Sequence, residues 1–166
     1  MRVSSIGWLF DNEEMVLQKA SESAQITHNH EEGIMGAQAV ALGVYLARKG
    51  STKEQIKERL ESTFGYSLGR SLKKIRPKYH FDVTCRGSVP EAIIAFLESE
   101  DFEDAIRNAI SLGGDADTQA CISGALAEAY FLSIPKSIKE FVISKITPEM
   151  LMVLNDFHQR VRITLN

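Results

Sequence analysis

Residues 112–118 read Leu112-Gly113-Gly114-Asp115-Ala116-Asp117-Thr118, and their reading decides how the rest of the chain divides. Two adjacent glycines allow a sharp backbone turn. Two carboxylates and a hydroxyl follow directly. Upstream, Asp101 to Ile110 reads as a helix ending at Gly113. Downstream, Gln119 to Leu132 is small and apolar enough to be a buried helix. An acidic cluster between two packed helices is unfavourable without a positive partner. Carboxylate and hydroxyl oxygens suit Mg²⁺, Ca²⁺ or Mn²⁺. Asp-x-Asp-Thr after Gly-Gly would equally serve as a helix cap, so spacing alone leaves both readings open. An EF-hand is excluded: its sixth loop position would be Ala120 rather than glycine, and its twelfth Leu126 rather than glutamate.

Working outward, the chain reads as helix after helix. Residues 1–10 are apolar with no helical period. Asp11 is placed to cap a helix whose first turn holds Glu13 and Glu14. A second helix is predicted over Glu32–Lys49, with Gly50 ending it. Gly33, Gly36 and Gly43 inside it point to close approach by another helix or a ligand. Ser51-Thr52-Lys53-Glu54 has the form of a capping box, opening a helix with a solvated face of Lys53, Lys57 and Glu61 that stops at Gly65. A short helix is expected near Ser67–Ile75, then an extended connection over Tyr79–Thr84. Ser88-Val89-Pro90-Glu91 reads as a helix start. Asp101 caps the next helix. After the Gly-Gly-Asp loop, Pro135 and Thr147-Pro148-Glu149 open two more. No linker, repeat or low-complexity segment interrupts residues 1–166. The expected fold is all-α, a single compact helical domain.

The totals narrow the function classes. The chain has 166 residues, 44% hydrophobic and 25% charged, within the range of globular domains. A net charge of −3 gives no basic field for nucleic acid. No apolar run approaches the roughly 20 residues of a membrane span, and the first residues lack the long apolar region of a signal peptide. Cys85 and Cys121 show no CxxC spacing, which argues against a disulfide framework or zinc knuckle. A reduced, cytoplasmic setting is the expectation.

Other constellations are weaker. His28 and His30 form a His-x-His pair that suits a transition metal, an anionic ligand or simply a loop between helices. None of the four histidines precedes an aspartate, which removes a His-Asp metal phosphohydrolase. Cys85-Arg86-Gly87-Ser88 before a helix suits either an anion or an ordinary cap. No base neighbours Cys85 in sequence to make it a nucleophile. Arg70, Lys73, Lys74, Arg76 and Lys78 read as a solvated basic face.

Several motifs together resemble the ADP-ribosylglycohydrolase family, which includes the dinitrogenase reductase-activating glycohydrolases. They are Ser111-Leu112-Gly113-Gly114-Asp115-Ala116-Asp117-Thr118 with Ser123-Gly124-Ala125 and Ala129-Tyr130, and Ile26-Thr27-His28-Asn29-His30 running on to Gly36-Ala37-Gln38-Ala39. Gly87-Ser88-Val89-Pro90-Glu91-Ala92 and Met1-Arg2-Val3-Ser4 complete the set. Their order and spacing cover nearly the whole chain.

The resemblance implies an all-α fold and a two-Mg²⁺ centre that hydrolyses the glycosidic bond between ADP-ribose and an acceptor, with Mn²⁺ as a substitute ion. It implies Asp115, Asp117 and Thr118 as metal ligands. His28, Met1, Arg2, Gly113 and Gly114 would lie at the ADP-ribose site. It singles out no catalytic residue here. The chain departs from the family pattern in lacking the N-terminal half, with its Thr-Asp-Asp-Thr type metal motif and glycine-rich segment. The expectation is therefore a chain incomplete for catalysis, completed by an N-terminal half on another chain or by self-association into a homo-oligomer. The alternative is a non-catalytic module that binds ADP-ribose, a nucleotide or a protein partner. With one ion or none, Asp115 and Asp117 would repel, raising the pKa of at least one.

Overall fold

The computed structural model describes residues 1–161. They form ten α-helices and no strands: α1 (Ser4–Leu9), α2 (Glu13–Gln25), α3 (Glu31–Arg48), α4 (Lys53–Phe64), α5 (Leu72–Ile75), α6 (Cys85–Leu97), α7 (Phe102–Ile110), α8 (Ala116–Phe131), α9 (Lys136–Ile143) and α10 (Pro148–Val161). The all-α expectation holds. Two compact units divide the chain, Met1–Ser133 and the segment from Ile134 onward. The second contributes α9 and α10, two amphipathic helices with Phe141, Val142, Met150, Met152 and Val153 exposed. No helix among the described residues is long and apolar enough to cross a membrane.

In the first unit α3 is the central element, packed against α1, α2, α4, α6 and α8, while α7 packs on α6 and α8. The sequence dictates this centrality. Small residues let α3 approach its neighbours closely: a Cβ on Gly43 would lie 2.6 Å from Leu126 Cδ2 of α8. Glycine within a helix costs about 1 kcal/mol against alanine. The loss is offset by the core it permits, where Leu42, Ile56, Leu60, Phe96 and Leu126 are fully buried. Each such side chain contributes about 1.5–3 kcal/mol.

Several local expectations shift, each for a tertiary reason. Residues 1–10, read as irregular, contain α1. It has no side-chain cap. It is held instead by Arg48, whose Nε and Nη2 donate to the Gly7 and Phe10 carbonyls at 2.6 and 2.5 Å and so satisfy the open end of a short helix. Asp11 does not cap α2. Asn12 does, accepting from Met15 N at 3.0 Å, while Asp11 pairs with Arg48 and Lys49. The capping box sits one residue later than read, on Thr52 and Gln55. Lys53 is not on a solvated face. Its ammonium lies 5.0–5.5 Å from the Phe96, Tyr130 and Phe131 rings and donates to the Ser99 carbonyl, and burial lowers its pKa. α5 is one turn, and the Tyr79–Thr84 connection contains neither helix nor strand. α6 begins at Cys85 under a Thr84 cap, leaving Pro90 inside the helix. α8 begins at Ala116, a turn earlier than read, which places Asp117 and Thr118 in its first turn.

Candidate metal and ligand site

The Gly-Gly-Asp loop is short because both its ends are tightly fixed. After α7, Leu112 is buried as an anchor and Leu112 N donates to Ala109 O at 3.2 Å. Gly113 then takes φ 73°, the left-handed region where a side chain is strained. Asp115 occupies the position before α8. Its backbone carbonyl accepts from Gln119 N at 2.9 Å, yet its side chain makes no cap hydrogen bond. That carboxyl can share a hydrogen bond with Asp117 only while one of the two carries a proton. This bond, followed by the backbone N–H groups of Thr118 and of Asp117 itself, holds the Asp117 carboxyl below the ordinary carboxylate value. The shift at Asp117 is downward because hydrogen bonding favours its charged form.

A second group of residues frames the loop. A Cβ on Gly114 would lie 2.4 Å from Tyr79 Cε1 and 3.2 Å from Gln119 Oε1, so the loop backbone lies directly against the tyrosine ring. Gln119, fully buried, donates through Nε2 to the Tyr79 hydroxyl at 2.7 Å. That hydroxyl donates to the Gly87 carbonyl at 2.9 Å, in the first turn of α6. Burial raises the Tyr79 pKa to about 12, so the phenol stays neutral.

His28 and the first residues meet at the C-terminal end of α2. Arg2 Nη2 donates to the Ser23 carbonyl at 2.8 Å and to Thr27 Oγ1 at 2.5 Å. Thr27 Oγ1 lies 2.7 Å from His28 Nδ1. Arg2, Thr27 and His28 thus form one exposed hydrogen-bonded group. His30 caps α3, its Nδ1 accepting from Glu32 N at 3.3 Å, so the His-x-His pair is divided between two roles. α6 connects the two areas. Its Gly87 meets Tyr79, while its Cys85 packs on Gly36, 3.2 Å from where a Cβ would stand there. The Met1 amino group acts electrostatically on the Cys85 thiol. Burial dominates, raising that pKa and keeping the group a thiol.

The ADP-ribosylglycohydrolase family profile matches residues 1–147. The chain belongs to the ADP-ribosylglycohydrolase family. It is 32% identical to ADP-ribosylhydrolase ARH3 of Bos taurus, with 79% of this chain aligned to 48% of that protein. Its identity to ADP-ribosylhydrolase ARH3 of Gallus gallus is 30% over the same shares. An uncharacterized protein of Archaeoglobus fulgidus is 27% identical, with 97% of this chain aligned to 58% of its length. The chain spans about half the length of the curated relatives it matches.

A hard divalent ion fits this ADP-ribosylglycohydrolase loop in part. Asp115 leaves its side chain off the cap, Asp117 is held ionised, and Thr118 adds a hydroxyl at the next position. These are oxygen donors of the right kind. No cluster of three or more His, Cys, Asp or Glu side chains is poised to hold a metal among the described residues, so the loop offers only part of a coordination shell. The basic run is exposed as expected, though two of its members are engaged. Arg70 pairs with buried Glu91 at 2.7 Å, and Arg76 Nε and Nη2 donate to Ser111 Oγ and Asn108 Oδ1 at 2.8 and 3.0 Å. Tyr79, Arg76 and Gln119 escaped the sequence reading. Only Gln119 carried a signal, as a long polar side chain opening an otherwise small, apolar helix.

Proposed function

We propose that this chain carries one half of an Mg²⁺-dependent ADP-ribosyl hydrolase site. Asp115, Asp117 and Thr118 hold the ion, with Mn²⁺ able to replace it. His28, Arg2 and Met1, with the Gly113-Gly114 turn, border the ADP-ribose-type ligand. The observation that carries the reading is the uncapped start of α8. Aspartate is among the best capping residues, yet the Asp115 side chain makes no cap hydrogen bond. Family membership supplies the reaction class: hydrolysis of a glycosidic bond between ADP-ribose and an acceptor. A bound divalent ion supplies charge stabilisation at the breaking bond. The protein's own part is to keep Asp117 ionised, present the Thr118 hydroxyl beside it, and orient the His28 ring through Thr27. Hydrolysis requires further metal ligands from a complementing half or a second copy of the chain.

The test pairs binding with turnover. Calorimetry in Mg²⁺ buffer is expected to show ADP-ribose binding that His28→Ala and Arg2→Ala weaken. The purified chain alone is expected not to release ADP-ribose from an ADP-ribosylated protein. Absence of ADP-ribose binding by the wild type would refute the ligand assignment. Robust turnover by the purified chain would refute the need for a second half.

A further inference from the structure

We propose that Tyr79 is the positioning residue of the Gly113–Thr118 loop, at the centre of a strap formed by residues 76–82 that is fastened on both sides of that loop. On the α7 side, Arg76 donates to Ser111 Oγ at 2.8 Å and Asn108 Oδ1 at 3.0 Å. On the α8 side, Gln119 Nε2 donates to the Tyr79 hydroxyl at 2.7 Å. Between these fastenings the tyrosine ring lies against Gly114, with no room for a side chain there. The far end of the strap is locked to α6. The Tyr79 hydroxyl donates to the Gly87 carbonyl at 2.9 Å, and Asp82 Oδ1 accepts from Thr84 N at 2.7 Å. Gly87 also leaves no space, since a Cβ there would stand 1.8 Å from Asp82 Oδ2.

Gln119 makes the hydroxyl the deciding contact. The residue has no solvent exposure, and its Oε1 has no hydrogen-bond partner. The orientation of its carboxamide is set by the single bond to Tyr79. Gln119 follows Thr118 directly in α8, so freeing it loosens the turn that carries Asp117 and Thr118. Groups that hold a ligating residue in place typically change metal affinity 10–100-fold when removed. The inference rests on the metal reading above only for its affinity readout.

The test uses Tyr79→Phe, which keeps the ring against Gly114 and removes only the hydroxyl. Mg²⁺ and Mn²⁺ affinity is expected to fall roughly tenfold or more. Gln119→Met, which removes one of that hydroxyl's two bonds, is expected to lose affinity as well, and the double variant no more than Tyr79→Phe alone. Ile56→Val, a core trim in α4, is expected to lower the melting temperature without changing metal affinity, which separates positioning from general stability. A second readout needs no metal: amide exchange at residues 113–118 is expected to speed up in Tyr79→Phe. If the wild type binds ion, unchanged affinity in Tyr79→Phe overturns the proposal. If the wild type binds neither ion, the metal reading falls and the exchange comparison decides, with equal rates overturning the positioning role.

Discussion

The start of α8 is fastened differently from the starts of the other long helices in the first unit. An α-helix leaves its first four N–H groups without internal partners. α2, α3, α4, α6 and α7 satisfy one with a side chain, from Asn12, His30, Thr52, Thr84 and Asp101 respectively. α8 has an aspartate in the same position and does not use it. Its first turn is held from outside, through Gln119 to the Tyr79 hydroxyl. That difference sets the start of α8 apart from the other helix starts.

The comparison breaks most visibly at Gly114. Gly114→Ala drives a methyl group into the Tyr79 ring and is expected to cost about 1–3 kcal/mol in denaturant unfolding, the range of an overpacked site. A loss well under that range means the strap does not press on the loop. Next, Asp101→Ala removes a working cap, with a 2.8 Å bond to Asp104 N, and is expected to cost about 1 kcal/mol. Asp115→Ala in metal-free protein is expected to stay within about 0.5 kcal/mol of wild type. Equal losses at the two aspartates would erase the distinction.

The smallest effect is in acid. The Asp117 carboxyl lies below the ordinary carboxylate range in the fold, through hydrogen bonding with the Asp115 carboxyl when that group is protonated and from the backbone N–H groups of Thr118 and Asp117. A folded value below the unfolded one favours the fold above the unfolded pKa, and the contribution is lost as pH falls through the folded value. Stability attributable to Asp117 is therefore expected to decline below about pH 4. Asp117→Asn is expected to flatten that limb slightly, because the group is exposed and screened. An acid limb identical to wild type contradicts the shift.

How much of this was legible in the sequence differs by region. The helices at Gly50, Asp101 and Pro148 were readable because their signals are local: a left-handed glycine, a capping aspartate and a first-turn proline. α1 was not, since Arg48, some forty residues away in the chain, closes its end. Lys53 looked solvated because helical spacing cannot show three aromatic rings arriving from α6 and α8. The site divides in the same way. Asp115, Asp117 and Thr118 are adjacent in sequence and were readable together. The link from Arg2 through Thr27 to His28 spans 25 residues, and the link from Tyr79 to Gln119 spans 40; neither leaves a periodic trace. A lone glutamine at the head of a small-sided helix was the one hint that a distant partner existed.

The central claim is that the uncapped turn of α8 holds a divalent ion. Titration calorimetry of Mg²⁺ and Mn²⁺ into the wild type and Asp117→Ala tests it most directly. Saturable binding is expected in the wild type and none in the variant. No heat in the wild type, or equal binding in both, would contradict it.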